Sequence, residues 1–208
     1  MKKIYYFSIT FLLLIISCKK ENLPIDEYEL SIPKGFPKPT IPDNNKPSAD
    51  RIELGRRLFF DPILSRDSSI SCASCHHIDK KFTDGLPISR GIENRLGIRN
   101  APSLLNVAYQ PSMFWDGGVP NLEQQILAPI ESHFEMDFNL PDVVTRLNNI
   151  EEYKTLSQKA YNQLPSIFSV TRAIACFERT LFSGTSKYDD YIYNNNKSAL
   201  TASEINGM

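Results

Sequence analysis

Ser71-Cys72-Ala73-Ser74-Cys75-His76-His77 is the stretch from which the rest of the chain is read. It contains Cys-x-x-Cys-His, the spacing of a c-type haem attachment site. The chemistry accounts for the spacing. Two thiols a few residues apart each add to one vinyl group of the porphyrin and form thioethers. The next residue, His76, is then placed to bring its imidazole to the iron as the proximal ligand. Two other readings of these residues are weaker. Half of a zinc site needs a second ligand pair, and the remaining Cys18, Cys176, His77 and His133 show no paired spacing. A thioredoxin-like redox pair needs a βαβ context, of which the sequence shows no sign.

The N-terminus agrees with the haem reading. Lys2 and Lys3 precede an apolar run over 4–16 that is short for a membrane span. The run ends in Ile15-Ile16-Ser17-Cys18, which resembles the lipobox of bacterial lipoproteins, where the signal is cut before the Cys and the Cys is acylated. On this reading 1–17 is a signal peptide and Cys18 the lipidation site. The protein is then periplasmic and anchored to a bacterial membrane through lipid alone. An uncleaved N-terminal anchor is the alternative. Either places the bulk of the chain outside the cytoplasmic membrane, the side on which c-type haem is attached. Residues 18–47 carry Pro24, Pro33, Pro37, Pro39, Pro42 and Pro47, which disfavours helix and predicts an extended tether that wraps along the domain.

The rest reads as all-α, with no strand alternation and no internal repeat. Ser48 is a candidate N-cap for a helix over 50–60 with Ile52, Leu54, Leu58 and Phe59 as its apolar positions, and Asp61-Pro62 stops it. Residues 80–100 hold Gly85, Pro87, Gly91 and Gly97 and predict a long loop, of a length that suggests function. Asn121 with Gln124 starts a helix that Pro129 disturbs near 128. Further helices are expected over 142–149, 151–161 and 169–182. In the last of these, Val170, Ile174, Phe177 and Leu181 follow the helical period, and Cys176 is read as a buried small hydrophobe. Thr201-Ala202-Ser203-Glu204 is a capping box. The formal net charge of −1 over 208 residues gives no reason to expect nucleic acid as a partner.

Six ordered blocks resemble one family: Leu54-Gly55-Arg56-Arg57-Leu58-Phe59-Phe60-Asp61-Pro62, the haem motif with Ile70 before it, Thr83-Asp84-Gly85, Arg99-Asn100-Ala101-Pro102-Ser103-Leu104-Leu105-Asn106, Phe114-Trp115-Asp116-Gly117, and Ala175-Cys176-Phe177-Glu178-Arg179-Thr180-Leu181. Together they are similar to the N-terminal haem domain of bacterial dihaem cytochrome c peroxidases and of the related methylamine-utilisation maturation oxidases. The resemblance implies a cytochrome-c-like haem domain over 48–199. It also implies the opening of a second, truncated domain at 200–208, with a second haem c in the full-length protein. The implied activity is reduction of hydrogen peroxide to water with electrons from a small cytochrome c or cupredoxin, in a possible homodimer.

By position, the resemblance makes Cys72 and Cys75 the thioether cysteines and His76 the axial iron ligand. It makes Trp115 the tryptophan between the haems, Gln125 the distal-pocket glutamine, Glu135 the acid–base residue and Asn100 a calcium contributor. The chemistry agrees, because splitting the O–O bond needs a group that takes a proton from one peroxide oxygen and gives it to the other. A carboxyl with a raised pKa in a partly dry pocket does both.

Many members carry a histidine in the Gly-rich loop that caps the N-terminal iron until the other haem is reduced. Here Ser89-Arg90-Gly91-Ile92-Glu93 has Ile92 at that place, which cannot bind iron, and the resemblance then implies a distal side that is open or held by water. His133, Met113 and Met136 are alternative distal ligands. Two other functions compete with the peroxidase reading. One is an electron-transfer cytochrome with His76 and a methionine such as Met136 on the iron. The other is a maturation-type oxidase acting on a protein substrate.

Overall fold

The structure, a computed structural model, describes residues 28–208. The expected signal peptide over 1–17, Cys18 and the first part of the Pro-rich stretch lie outside the described residues. Among the described residues the regular structure is helical and no strand forms. Three isolated antiparallel bridges, His77–Thr83, Arg90–Leu96 and Met113–Val119, each pinch one loop shut. No described helix is long and apolar enough to cross a membrane.

Helix α1, Ala49–Phe60, begins where expected: Ser48 Oγ accepts the Arg51 N–H at 3.3 Å. Asp61 ends it and then caps the turn Pro62–Leu64, accepting the Ile63 N–H at 3.0 Å. Helices α2, Leu122–Gln125, and α3, Leu127–Glu131, replace the single helix expected to run to 128. The break comes at Ile126, three residues before Pro129, because a proline supplies no N–H to the carbonyl four residues back, here Gln125. Helix α4, Leu140–Asn148, starts two residues before the expected position, since Asn139 caps it by accepting the Asp142 N–H at 3.0 Å and Pro141 fits its first turn. Helix α5, Glu151–Tyr161, matches the expected span.

Helix α6, Ile167–Glu178, is shifted from the expected 169–182. Ser166 is the cap, not Ser169: Ser166 Oγ accepts the Ser169 N–H at 3.2 Å and Ser169 Oγ accepts the Ser166 N–H at 3.0 Å. Its C-terminal end tightens early, with Thr180 N–H on Phe177 O at 2.9 Å and Leu181 N–H on Glu178 O at 3.1 Å. Helix α7, Lys187–Tyr193, is not foreseen by periodicity, although Ser186 and Asp189 form a capping box in front of it. Helix α8, Ala202–Asn206, follows the Thr201–Glu204 box.

The core forms where α1 crosses α6, with α5 packed against α1 and touching α6 as well. Leu54, Leu58 and Phe59 of α1 meet Val170, Ala173, Ile174 and Phe177 of α6, all buried. Cys176 is fully buried, as expected, and its thiol lies 3.3 Å from Asn45 Oδ1. Asn45 belongs to the Pro-rich stretch, whose described part is largely extended and lies against the domain. Its amide donates to Glu123 Oε1 at 2.6 Å and to Arg172 O at 3.0 Å.

Gly55 permits the crossing. A Cβ there would stand 1.9 Å from the Ala173 carbonyl oxygen, which is backbone and cannot yield. Gly55→Ala is expected to lower unfolding free energy by about 1–3 kcal/mol, the range for overfilling a packed interface. That loss stands against the roughly 1 kcal/mol an alanine ordinarily adds to a helix. Urea unfolding of the protein checks it, and an unchanged midpoint would contradict the close crossing.

Candidate active site

The Cys72–His76 segment is a tight turn. Cys72 O accepts both the Cys75 N–H at 3.2 Å and the His76 N–H at 3.0 Å, which brings the two thiols and the imidazole together. Ser74 Oγ holds the start of the turn by accepting the Ser71 N–H at 3.0 Å. The chain then folds back on itself. Phe82 N–H donates to His77 O at 2.7 Å, and His76 Nδ1 lies 2.8 Å from Phe82 O. A carbonyl only accepts, so Nδ1 carries the proton and Nε2 keeps its lone pair. That is the tautomer a metal ligand needs. Thr83 Oγ1 donates to Ala101 O at 2.7 Å and Ser103 Oγ to Lys81 O at 2.6 Å, which pins this loop to the Asn100–Asn106 block.

Burial sets the electrostatics of the turn. It pushes the Cys72 thiol well above its ordinary value, with the Glu178 carboxyl adding to the effect, and pushes the Cys75 thiol up to about 11. It lowers His76, against the pull of the Phe82 and Pro102 carbonyls, so the imidazole is neutral at pH 7. Phe59 of α1 stacks toward this imidazole with ring centroids 6.4 Å apart, and toward Phe177 of α6 at 5.1 Å.

Glu135 stands in the loop after α3. That loop is closed by Glu135 N–H and Asp137 N–H, both on Ser132 O, at 2.9 and 3.0 Å, and by Met136 N–H on Pro129 O at 3.1 Å. Glu135 is open to solvent by surface area, yet burial raises its carboxyl, with a Ser132 hydrogen bond pulling the other way. Water reaches the side chain while protein surrounds part of it. One loop separates it from the attachment turn: Cys75 Sγ lies 3.7 Å from Arg90 O, and Ile92 N–H donates to Glu135 O at 2.9 Å.

The other site residues are distributed around this centre. Gln125 ends α2, half-buried, and its link to Glu135 runs through α3. Trp115 is 63% exposed in the loop pinched by Met113–Val119, and its Nε1–H points to Asn100 O at 3.4 Å. Among the described residues no group of three or more His, Cys, Asp or Glu is placed to hold a metal ion.

Met113 and Met136 are buried in the hydrophobic core, against which Cys72 and Ala73 of the attachment turn also pack. His133 Nδ1 is engaged, 3.0 Å from Arg95 and 3.3 Å from Asp137. Ile92 is fully buried.

Sequence reasoning gave no role to Glu178 beyond its place in a family block, and none to Arg66, Arg95 or Asp137. Glu178 is 5% exposed, its Oε2 has no partner among the described residues, and burial pushes its carboxyl up to about 8 against the charge of Arg179. Arg179 is engaged elsewhere, with two nitrogens on Glu123 at 2.6 and 3.0 Å. For Glu178 the available signal was a charge inside an otherwise apolar block, which says nothing of the partner; Arg66 and Arg95 stand among polar residues and carry no such signal.

The donor set fits a c-type haem: two thiols and a neutral imidazole with a free Nε2, on one turn beside an aromatic core. A family model for di-haem cytochrome c peroxidase matches residues 49–197. The chain is 35% identical over 172 residues to the methylamine utilization protein MauG of Methylophilus methylotrophus, covering 82% of this chain and 50% of that protein. It is 34% identical over 164 residues to the cytochrome c551 peroxidase of Pseudomonas aeruginosa, covering 77% and 47%. A crystal structure of a MauG-like protein associated with microbial copper homeostasis superposes with a TM-score of 0.80 at 31% identity, over 86% of this chain and 53% of that one. The chain thus spans about half the length of the relatives it matches.

Glu178 generates a stability prediction. A carboxyl whose folded value is raised from 4.5 to about 8 favours folding fully below about pH 4.5, and that contribution is lost as pH rises to about 8. Glu178→Gln, neutral throughout, should remove this slope. At pH 9 it should exceed the parent in stability by an amount on the order of a few kcal/mol. Denaturant unfolding at pH 5 and pH 9 measures both, and parallel pH curves would contradict a neutral Glu178.

Proposed function

The chain belongs to the di-haem cytochrome c peroxidase family, and from that premise we propose that it reduces hydrogen peroxide at a haem held by Cys72, Cys75 and His76. The observation that carries the reading is a haem-binding turn and, one loop away from it, a carboxyl that burial raises above its ordinary value. A haem bound there supplies an iron centre that binds peroxide and passes electrons to it. The remaining tasks fall to the protein. The Phe82 carbonyl fixes the His76 tautomer and ring direction through Nδ1. Glu135, ionised, takes a proton from one peroxide oxygen and returns it to the other, so that the O–O bond breaks with release of water. Two protons and two electrons in all convert hydrogen peroxide to two waters. The Gln125 amide hydrogen-bonds the peroxide and orients it.

The electrons come from a small cytochrome c or cupredoxin. Trp115, exposed with Phe114 beside it, offers an aromatic surface for their entry. Attachment of haem at Cys72 and Cys75 and the lipid anchor at Cys18 together make the protein periplasmic and membrane-tethered. Asn100, exposed beside Trp115, contributes to a calcium site in this reading. One second reading has support: the similarity to MauG and the absence of a histidine at Ile92 favour an oxidase that acts on a protein substrate through the same site.

The peroxide rate decides the main reading. The haem-loaded protein is mixed with hydrogen peroxide and the Soret band followed across pH. Because Glu135 must be ionised to act as base, the second-order rate should fall at acid pH with a midpoint above 4.5, the ordinary glutamate value. Glu135→Gln should abolish that limb and slow the reaction about 10²–10⁴-fold. An unaltered rate in this variant would remove Glu135 from the chemistry.

A further inference from the structure

Three segments far apart in sequence meet at one ion-pair cluster beside Glu135. Arg95 lies in the loop pinched by the Arg90–Leu96 bridge. Its Nη1 donates to Asp137 Oδ2 at 2.7 Å and to the His133 carbonyl at 2.9 Å, and lies 3.0 Å from His133 Nδ1. Its other nitrogen pairs with Glu93. Arg66, from the segment before the haem motif, pairs with Glu93 at 2.7 Å and with the same Asp137 oxygen at 2.8 Å. Its own N–H donates to Met136 O at 2.9 Å. The titratable and charged groups of the cluster are therefore Arg66, Glu93, Arg95, His133 and Asp137.

The backbone draws the same segments together. Ile92 N–H donates to Glu135 O at 2.9 Å. Gly91 lies so close that a Cβ there would stand 2.1 Å from Phe134 O and 2.6 Å from Glu135 O. On its other side the same loop reaches the attachment turn, with Cys75 Sγ 3.7 Å from Arg90 O. The loop is thus wedged between Cys75 and Glu135. Glu93 and Asn94 at its tip, and Asp137 opposite, hold left-handed backbone with φ of 54°, 57° and 48°. Non-glycine residues stay in that region when their surroundings over-determine them. Here the surroundings are the two guanidiniums. Arg95 and Asp137 are the sheltered members, with side chains 21% and 20% exposed, while His133, Glu93 and Arg66 are more open.

We propose that Arg95 is the positioning residue for Glu135: it clamps the 132–137 loop on both sides of that carboxylate and so sets where the carboxylate stands relative to the attachment turn. The inference rests on the acid–base reading of Glu135. Arg95 touches Asp137 and His133, not the reacting atoms, so it acts through placement. Small displacements suffice, since a misplacement of about 1 Å costs roughly 100-fold in rate.

The test is a double-mutant cycle on the haem-loaded chain, with the peroxide rate, its pH profile and amide hydrogen exchange of the ferric protein as readouts. Arg95→Gln should slow the peroxide reaction roughly 10–100-fold. It should also move the acid midpoint down toward the ordinary glutamate value, because a loosened loop gives the carboxyl more water. In the Glu135→Gln background the same change should slow the reaction by no more than about 2-fold, as expected when one residue acts only through the other. Without peroxide, the Ile92, Glu135 and Asp137 amides should exchange faster while those of α1 and α6 do not. Equal slowing in both backgrounds, or unchanged exchange at these amides, overturns the proposal. A slow Glu135→Gln beside an unimpaired Arg95→Gln overturns Arg95 alone. An unimpaired Glu135→Gln removes the acid–base reading and the positional role with it. If Arg95→Gln takes up no haem, Asp137→Asn removes the acceptor that both guanidiniums share and decides the matter by the same outcomes.

Discussion

The close crossing of α1 and α6 at Gly55 and Ala173 is the constraint on which the rest of the molecule depends. Two helices whose backbones nearly touch share a wide, dry contact, and the large side chains that flank the small ones are driven outward to either side. Phe59 leaves the contact on the side of the haem motif, where it meets Phe177, Phe82 and the His76 ring. The proximal imidazole is therefore backed by the helix crossing. Its Nδ1 is held from the other direction by the Phe82 carbonyl. Any loosening of the crossing reaches the ligand through one aromatic side chain, so a helix-packing residue such as Gly55 belongs to the function as much as to the fold.

Around that rigid centre the site is made of loops, and each is restrained by a different device. The loop after His76 is restrained by backbone bonds and the Thr83 and Ser103 hydroxyls. The loop with Trp115 is restrained by its bridge and its turn. The loop with Arg95 is restrained by charge. The contrast has a physical basis. Hydrophobic contacts suit the proximal side, which only has to hold the imidazole in place. The side with Glu135 is open to water and is not filled with apolar packing. Ion pairs hold a loop in place there and leave it accessible, at the modest strength expected of partly exposed charges.

Two buried carboxyls on neighbouring elements show how surroundings divide chemically equal groups. Burial pushes Glu123 up, but the Arg179 fork and the Asn45 amide outweigh it, and its carboxyl sits below the ordinary range. Glu178, the very next residue to Arg179, receives none of that fork and is raised to about 8. The guanidinium turns toward Glu123 and leaves Glu178 neutral behind Cys72. The pairing ties α2 to α6 and gives the N-terminal stretch a polar anchor at Asn45, while the neutral carboxyl keeps an unpaired charge out of the region around Cys72.

Local rules carried much of this structure. The Cys72–His76 spacing, the caps at Ser48, Asn121 and Thr201, the stop at Asp61-Pro62 and the apolar stripe of α6 all follow from interactions within a few residues, and so sequence alone determined the helical class, the attachment turn and most helix positions. The misplaced ends have local reasons as well: Ser166 outcompetes Ser169 as a cap, Asn139 starts α4 early, and Pro129 breaks the helix at its missing donor. The tertiary structure alone decided what lies beside what. That Glu135 stands one loop away from Cys75, that Met113 and Met136 are buried in the core on which Cys72 also packs, and that Arg95 reaches Asp137 across a gap of 42 positions are outcomes of loop closure. A charged residue in sequence carries no record of its partner, because the energy that selects the partner exists only once the loops have folded onto the same side of the helix crossing.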